Sequence, residues 1–307
     1  MISLHPAFNK KAVSMKKFTG LLLAASLLFG CMGIVTAQDK PSGMPPPPKV
    51  LVIFREFLKP GKAGSTHEKS ESAFVQAFTR AKSPTHYLTI DSLSGKPRSL
   101  FLIGYDSFDA WEKDNQATQK NTALSSALER AAAADGELLS DYDAGVFTLK
   151  EEYSLHIPVD IPHMRYFEIT RFQVKPGHDK DFDELAKMYV AAYDKIPDVH
   201  WATFQGVYGP EGNTYLIFTP MKSASEIDKS FVTGKQVQDA MGAEGGKKAA
   251  ELSAAAIETS QTNLFIFNPR ISYVQDEWIK ADPDFWKPKA AAATAPKQSP
   301  EKPPSNQ

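Results

Sequence analysis

A seven-residue phrase that the chain uses twice constrains its fold more than any other feature. Arg55-Glu-Phe-Leu-Lys-Pro-Gly61 returns as Arg171-Phe-Gln-Val-Lys-Pro-Gly177, each time after an apolar run that reads as a strand and before an amphipathic helical pattern. Two further landmarks recur at almost the same offset, His86-Tyr87 against His200-Trp201 and Gly95 against Gly209. The offset is 116 residues at the first landmark and 114 at the second, so little was gained or lost between them. A period of roughly 100 residues argues for two copies of one structural unit.

Each copy carries the same order of elements. In the first, Val50 to Phe54 opens a strand that Lys59-Pro-Gly61 ends, because proline cannot donate to a ladder and glycine permits the turn. Ser65-Thr-His-Glu68 has the capping-box pattern, and Phe74, Val75 and Phe78 follow at helical spacing. Strands are expected over His86–Asp91 and Leu100–Tyr105 with a turn at Ser94 to Pro97. A short helix near Trp111, a longer one through Leu124 and Ala131, and a last strand from Gly145 to Leu149 complete the unit. The second copy repeats this with Arg165–Val174, a helix bearing Phe182 and Leu185, His200–Tyr208, Thr214–Phe218, a helical pair broken near Gly245-Gly246, and Asn263–Phe267. Strand, helix, strand, strand, helix, strand is the ferredoxin-like pattern. Such a sheet has helices on one face only, and packing two sheets on each other covers the second face. The expected architecture is therefore α+β, two βαββαβ repeats packed sheet to sheet as an intramolecular pseudo-dimeric barrel.

The phrase from Arg171 to Gly177, followed by Phe182, resembles the dimeric α+β barrel superfamily, and within it the NIPSNAP and antibiotic-biosynthesis-monooxygenase type. The likeness spans about residues 49–268 and is stronger in the second copy. It implies the barrel fold. It also implies monooxygenase-type oxidation of a small molecule, or haem handling, as activities found among relatives. Turn residues carry the match, so they specify fold better than chemistry.

The N-terminus reads as an export signal. Lys16-Lys17 precede the apolar run Leu21 to Phe29, and Val35-Thr-Ala37 supplies small residues for cleavage. The run is too short for a membrane span. Leu28-Phe-Gly-Cys31 resembles a lipobox, an alternative that would leave a lipid anchor on Cys31. Cleavage after Ala37 is the favoured reading, and it gives a periplasmic or extracellular protein without cysteine, hence without disulfides. Removal of residues 1–37 takes four lysines from the 35 basic residues and leaves 36 acids, a net charge of −5. That excludes a basic footprint for nucleic acid. The organisation expected is signal peptide 1–37, Pro-rich spacer 38–48, first repeat 49–150, linker 151–163, second repeat 164–268, a C-terminal clasp 269–287 carrying Trp278, Phe285 and Trp286, and a disordered tail 288–307.

Two equivalent pairs are candidates for a site. His86 and His200 each stand beside a large aromatic, Tyr87 or Trp201, and strand alternation puts each histidine and its neighbour on opposite faces. An imidazole there can ligate haem iron, act as a base, or simply hold a structural hydrogen bond. Arg55 and Arg171 close the apolar faces of their strands and could grip an anionic ligand, or form an ion pair at the barrel rim. Glu56 against Phe172, and Asp91 against Gln205, break the symmetry, so one half alone could hold a site. The chain lacks a Gly-x-Ser-x-Gly elbow, a phosphate-binding Gly-x-x-x-x-Gly-Lys, a Gly-x-Gly-x-x-Gly turn and a zinc-spaced His or Cys cluster. Two functions follow as expectations. One is an exported barrel that binds an apolar or aromatic small molecule and oxidises it; the other is a non-catalytic envelope scaffold.

Overall fold

The computed structural model describes residues 44–209 and 212–287. The expected signal peptide, the start of the expected spacer, the tip of the Gly209–Gly212 turn and the segment from 288 lie outside them. Eight strands form one closed barrel: β1 (Val50–Leu58), β2 (Leu88–Ser92), β3 (Arg98–Tyr105), β4 (Leu139–Leu149), β5 (Tyr166–Val174), β6 (Ala202–Tyr208), β7 (Thr214–Met221) and β8 (Ile257–Phe267). Their order around the barrel is β1-β3-β2-β8-β5-β7-β6-β4, with antiparallel neighbours throughout. The run β4-β1-β3-β2 and the run β8-β5-β7-β6 therefore have the same internal order. They meet along two seams, β2 with β8 and β4 with β6, so no sheet edge is left open.

Period-2 alternation decides which side chains fill the barrel. Leu51, Ile53, Leu88, Ile90, Leu100 and Leu102 point in from one half, and Phe167, Ile169, Phe204, Phe218, Phe265 and Phe267 from the other. Their alternates point outward to helices α1 (Ser65–Ala81), α2 (Phe108–Lys120), α3 (Thr122–Asp135), α4 (Asp179–Tyr193) and α5 (Ser225–Ala256). No helix among the described residues is long and apolar enough to cross a membrane. Two short helices, α6 (Asp276–Ala281) and α7 (Pro283–Trp286), cover part of one barrel end, where Trp286 joins the core with Trp278 and Phe285 against it.

Several local expectations are corrected. Strand β2 starts at Leu88 and β6 at Ala202, two residues later than His86 and His200, because at the barrel end the neighbouring chain is not a strand. Tyr87 and Trp201 make only single bridges there, to Tyr273 and Leu155. Strand β4 starts six residues earlier than expected, since Leu139 to Ala144 pair along β1. The capping box does not form: Gly64 is the N-cap, and Glu68 instead receives Arg270 at 3.0 Å. Helix α5 breaks at Gly242, whose φ of 67° and ψ of 177° suit only glycine, not at Gly245-Gly246.

Candidate functional site

The barrel core does not fill the end at which α6 and α7 lie. A cavity of about 1210 Å³ opens there between Leu51, Leu88, Leu102, Phe167, Phe204 and Phe218 of the strands, Val159 and Ile161 of the segment before β5, and Val274 and Trp278. Residues 44–48 also border it, so the proline run lies against the barrel mouth. Pro48 packs so closely on Gly104 that a Cβ there would come within 2.7 Å of it. The volume lies somewhat above the roughly 300–1,000 Å³ of ordinary small-molecule pockets.

The polar groups of this cavity lie on its rim. Asp114 of α2 accepts from the Tyr105 hydroxyl at 2.8 Å and from Thr85. Burial, and then the bond to Asp114, pushes the Tyr105 phenol up, so it stays a donor. His86 borders the cavity with its ring stacked on Tyr273, centroids 4.8 Å apart. Asp106, Asp114, Asp160 and Glu277 border it against a single lysine, Lys113. Asp160 in turn holds His163 at 2.7 Å. The rim is acidic.

The sequence-predicted residues divide between three places. His86 and Tyr87 reach the cavity. His200 stands at the same end but donates through Nε2 to the Pro220 carbonyl at 3.1 Å, and burial lowers its pKa, keeping it neutral. Trp201 is buried, with Nε1 on the Tyr153 carbonyl at 2.7 Å. Arg55 points into the barrel as alternation requires, but four residues along β1 from Leu51, about 13 Å away. There it forms a two-pronged ion pair with Asp143. Arg171 occupies the matching place on β5 and reaches Gln173 at 3.0 Å. The arginines and histidines are therefore at opposite ends and form no common site.

A second polar cluster, invisible in the linear sequence, lies on the outer face of the first half. Glu56 of β1, His67 and Glu71 of α1, and Asp135 at the end of α3 are all buried, with ligand-capable atoms within 4.8 Å of one another. His67 Nε2 is 2.9 Å from Glu56, 3.8 Å from Asp135 and 4.0 Å from Glu71. On its other side Nδ1 meets Ser99 Oγ at 3.4 Å, and Ser99 donates to Asp91 at 2.5 Å. Asn268 completes Asp91 at 2.7 Å. Burial, then the charges of Glu56, Asp135 and Asp91, pushes Glu71 up to about 10, so without a cation it keeps its proton. For His67 burial works against the charge, but the Glu56 bond and the Asp135 charge outweigh it and raise the pKa. The one sequence signal was helical: stepping back from Phe78 and Phe74 along the core-facing stripe of α1 lands on Glu71 and His67.

No family model matches the chain, and no curated protein matches it. Solved structures with some likeness include a provisionally named monooxygenase from Fusobacterium nucleatum, 14% identical over 71% of this chain and 91% of its own, TM-score 0.46. An anthrone oxidase-like protein is 16% identical over 72% of this chain and 92% of its own, TM-score 0.45. A chlorite dismutase from Candidatus Nitrospira defluvii is 10% identical over 76% and 95%, TM-score 0.42. Likeness at this level assigns the chain neither an activity nor a ligand.

Proposed function

We propose that the chain is a barrel of two ferredoxin-like halves that binds a neutral or cationic, largely apolar aromatic molecule in its end cavity. The observation that carries this is the cavity of about 1210 Å³ at the end of an otherwise close-packed core. A closed barrel has no need of such a void, and apolar walls with a few oriented polar groups are what a small-molecule site requires. Asp114, Tyr105, Thr85 and His86 would orient the ligand by hydrogen bonds at the rim.

Haem, one expectation from the resemblance, does not fit these residues. Its two propionates would meet Asp106, Asp114, Asp160 and Glu277 with only Lys113 to balance them. Among the candidate histidines, His86 alone borders the cavity. The acidic rim favours a ligand without negative charge. Oxidation of that ligand, the other expectation, would have His86 and the rim carboxylates as candidate bases.

Titration with a neutral naphthylamine dye and with an anionic sulfonate analogue tests the reading. The neutral dye should bind saturably at one site and more tightly than the anionic one. Ala202→Trp, which fills the cavity from β6, should weaken it by about tenfold or more, 1.4 kcal/mol. Equal and non-saturable binding of both dyes, or indifference to Ala202→Trp, would leave the barrel as the non-catalytic scaffold.

A further inference from the structure

The cluster of Glu56, His67, Glu71 and Asp135 belongs to neither the barrel interior nor the cavity. Three carboxylates surround one imidazole, and His67, Glu71 and Asp135 are each no more than 2% exposed. Even with His67 protonated the set carries an excess of two negative charges if its acids are ionised. Burying an uncompensated carboxylate costs several kcal/mol, so something must neutralise this group.

Orphaned atoms show where the neutralising group belongs. Among the described residues, the buried side-chain polar atoms without a hydrogen-bond partner are Glu71 Oε1, both Asp135 carboxylate oxygens and the Tyr87 hydroxyl. Three of the four belong to this cluster. The fourth is the Tyr87 hydroxyl, whose ring packs at 5.5 Å on Phe78 of α1, the helix that carries His67 and Glu71. Native proteins leave few such atoms, and here they gather at one point.

We propose that Glu56, His67, Glu71 and Asp135 are the ligands of a single divalent transition-metal ion of the Zn²⁺ or Mn²⁺ kind. The donors are one nitrogen and three carboxylates, borderline to hard, which suits these ions and excludes those that need thiolates. Bonds of about 2.1 Å put the ligand atoms of one ion at most about 4.2 Å apart, and since all the atoms lie within 4.8 Å of one another, no pair has to close by more than about 0.6 Å. The outer hydrogen bonds are of the kind a ligating histidine needs. Ser99, committed as a donor to Asp91, accepts from His67 Nδ1 and leaves Nε2 facing the carboxylates. With every ligand buried, the ion has no open face toward solvent. It is a structural ion that ties β1 to α1 and α3.

The other half of the barrel supplies an internal control. Glu56 pairs with Ser99 across β1 and β3, and at the corresponding places of β5 and β7 Phe172 pairs with Tyr215. Phe182 of α4 packs on both, with ring centroids 6.2 Å from Phe172 and 4.4 Å from Tyr215. A largely aromatic cluster fills that place, with no carboxylate among its members. The architecture therefore tolerates the cheaper apolar solution, and the first half departs from it with a full set of metal-ligand side chains.

The test is metal uptake by the purified protein after exhaustive chelation. Equilibrium dialysis against Zn²⁺ and against Mn²⁺, read by elemental analysis, should return one equivalent of at least one ion, and the chelator should lower the melting temperature. Glu71→Gln keeps the shape and removes a ligand charge, and it should weaken uptake by more than about a hundredfold, the most that loss of an outer hydrogen bond costs. Ser99→Ala should weaken it by roughly tenfold. His178→Ala, at a half-exposed His–Asp pair on α4, should bind as the unaltered chain does. Less than a tenth of an equivalent in the unaltered chain, or uptake untouched by Glu71→Gln, would overturn the proposal and leave a proton-sharing acid cluster. Loss of uptake in His178→Ala would overturn it too, by placing the ion on the surface.

Discussion

Pairs of residues alike in sequence have different fates in this molecule, and the difference lies in what each side chain meets. Arg55 finds Asp143 across the β1–β4 ladder, where register sets the two opposite one another, so its charge is satisfied within the protein. Arg171, opposite Gln261 on β8, has Gln173 for a neighbour. His86 stacks on Tyr273 at the cavity, whereas His200 donates to a carbonyl. His200 makes a prediction about pH. Its pKa is lowered in the folded state, chiefly by burial, so the unfolded chain takes up its proton first as the pH falls. The stability it contributes is complete above about pH 6.5, its unfolded value, and drains away as the pH drops from there through the lower folded value. Denaturant melts of the unaltered chain and of His200→Gln, run from pH 7.5 to pH 5, should show a smaller loss for the variant. Parallel loss in both would mean that the folded environment of His200 does not penalise its charge.

At the scale of elements, the sequence was most legible where local chemistry dictates backbone shape. Lys-Pro-Gly ends both β1 and β5, and Gly61 and Gly177 adopt positive φ, 74° and 84°. Gly95 and Gly209, 114 residues apart in the chain, also share it, 77° and 86°. Strand alternation put the right residues inside the barrel, so the order and type of elements could be read. Helix limits could not: the true break at Gly242 depends on a backbone angle, while Gly245-Gly246 was only the more glycine-rich spot. The acid–histidine cluster was hidden for a different reason. Its residues stand at 56, 67, 71 and 135 and meet only when β1, α1 and α3 pack, and in the linear sequence Ser65 to Glu68 has the pattern of a cap. The mismatch of Glu56 with Phe172 and of Asp91 with Gln205 was the readable trace of it. Matched glycines give an element-scale prediction. A Cβ on Gly61 meets nothing within 4 Å, so Gly61→Ala carries only the positive-φ penalty, about 1 kcal/mol. A Cβ on Gly209 would lie 2.1 Å from the Ala144 carbonyl oxygen, on the β4 strand. Gly209→Ala should therefore cost clearly more, about 3 kcal/mol or above as strain adds to the clash. Equal losses in chemical denaturation would show that the β6–β7 turn can move away from β4.

The described residues form a closed barrel plugged unequally at its two ends. At one end an internal ion pair, Arg55 with Asp143, stands in the opening. At the other the strands leave a cavity, and the chain returns after β8 to cover part of it. That returning segment is held by Trp286, which is buried among Phe267, Trp278 and Phe285 and donates through Nε1 to the Pro162 carbonyl at 2.9 Å. Arg165 supports it from below, stacked 3.9 Å over the Phe285 ring and paired with Asp282. Trp278 lines the cavity while Trp286 does not, so the two roles of the segment can be separated. Trp286→Ala should lower stability by about 3–5 kcal/mol, the usual cost of emptying a buried aromatic site. It should also weaken dye binding in the cavity, because Trp278, with its ring 5.3 Å from that of Trp286, loses the surface that positions it. Trp278→Ala, half-buried and without that anchoring role, should weaken binding with a much smaller loss of stability. If Trp286→Ala destabilised the chain but left dye affinity unchanged, the segment would be a brace for the barrel alone, and the cavity wall would be complete without it.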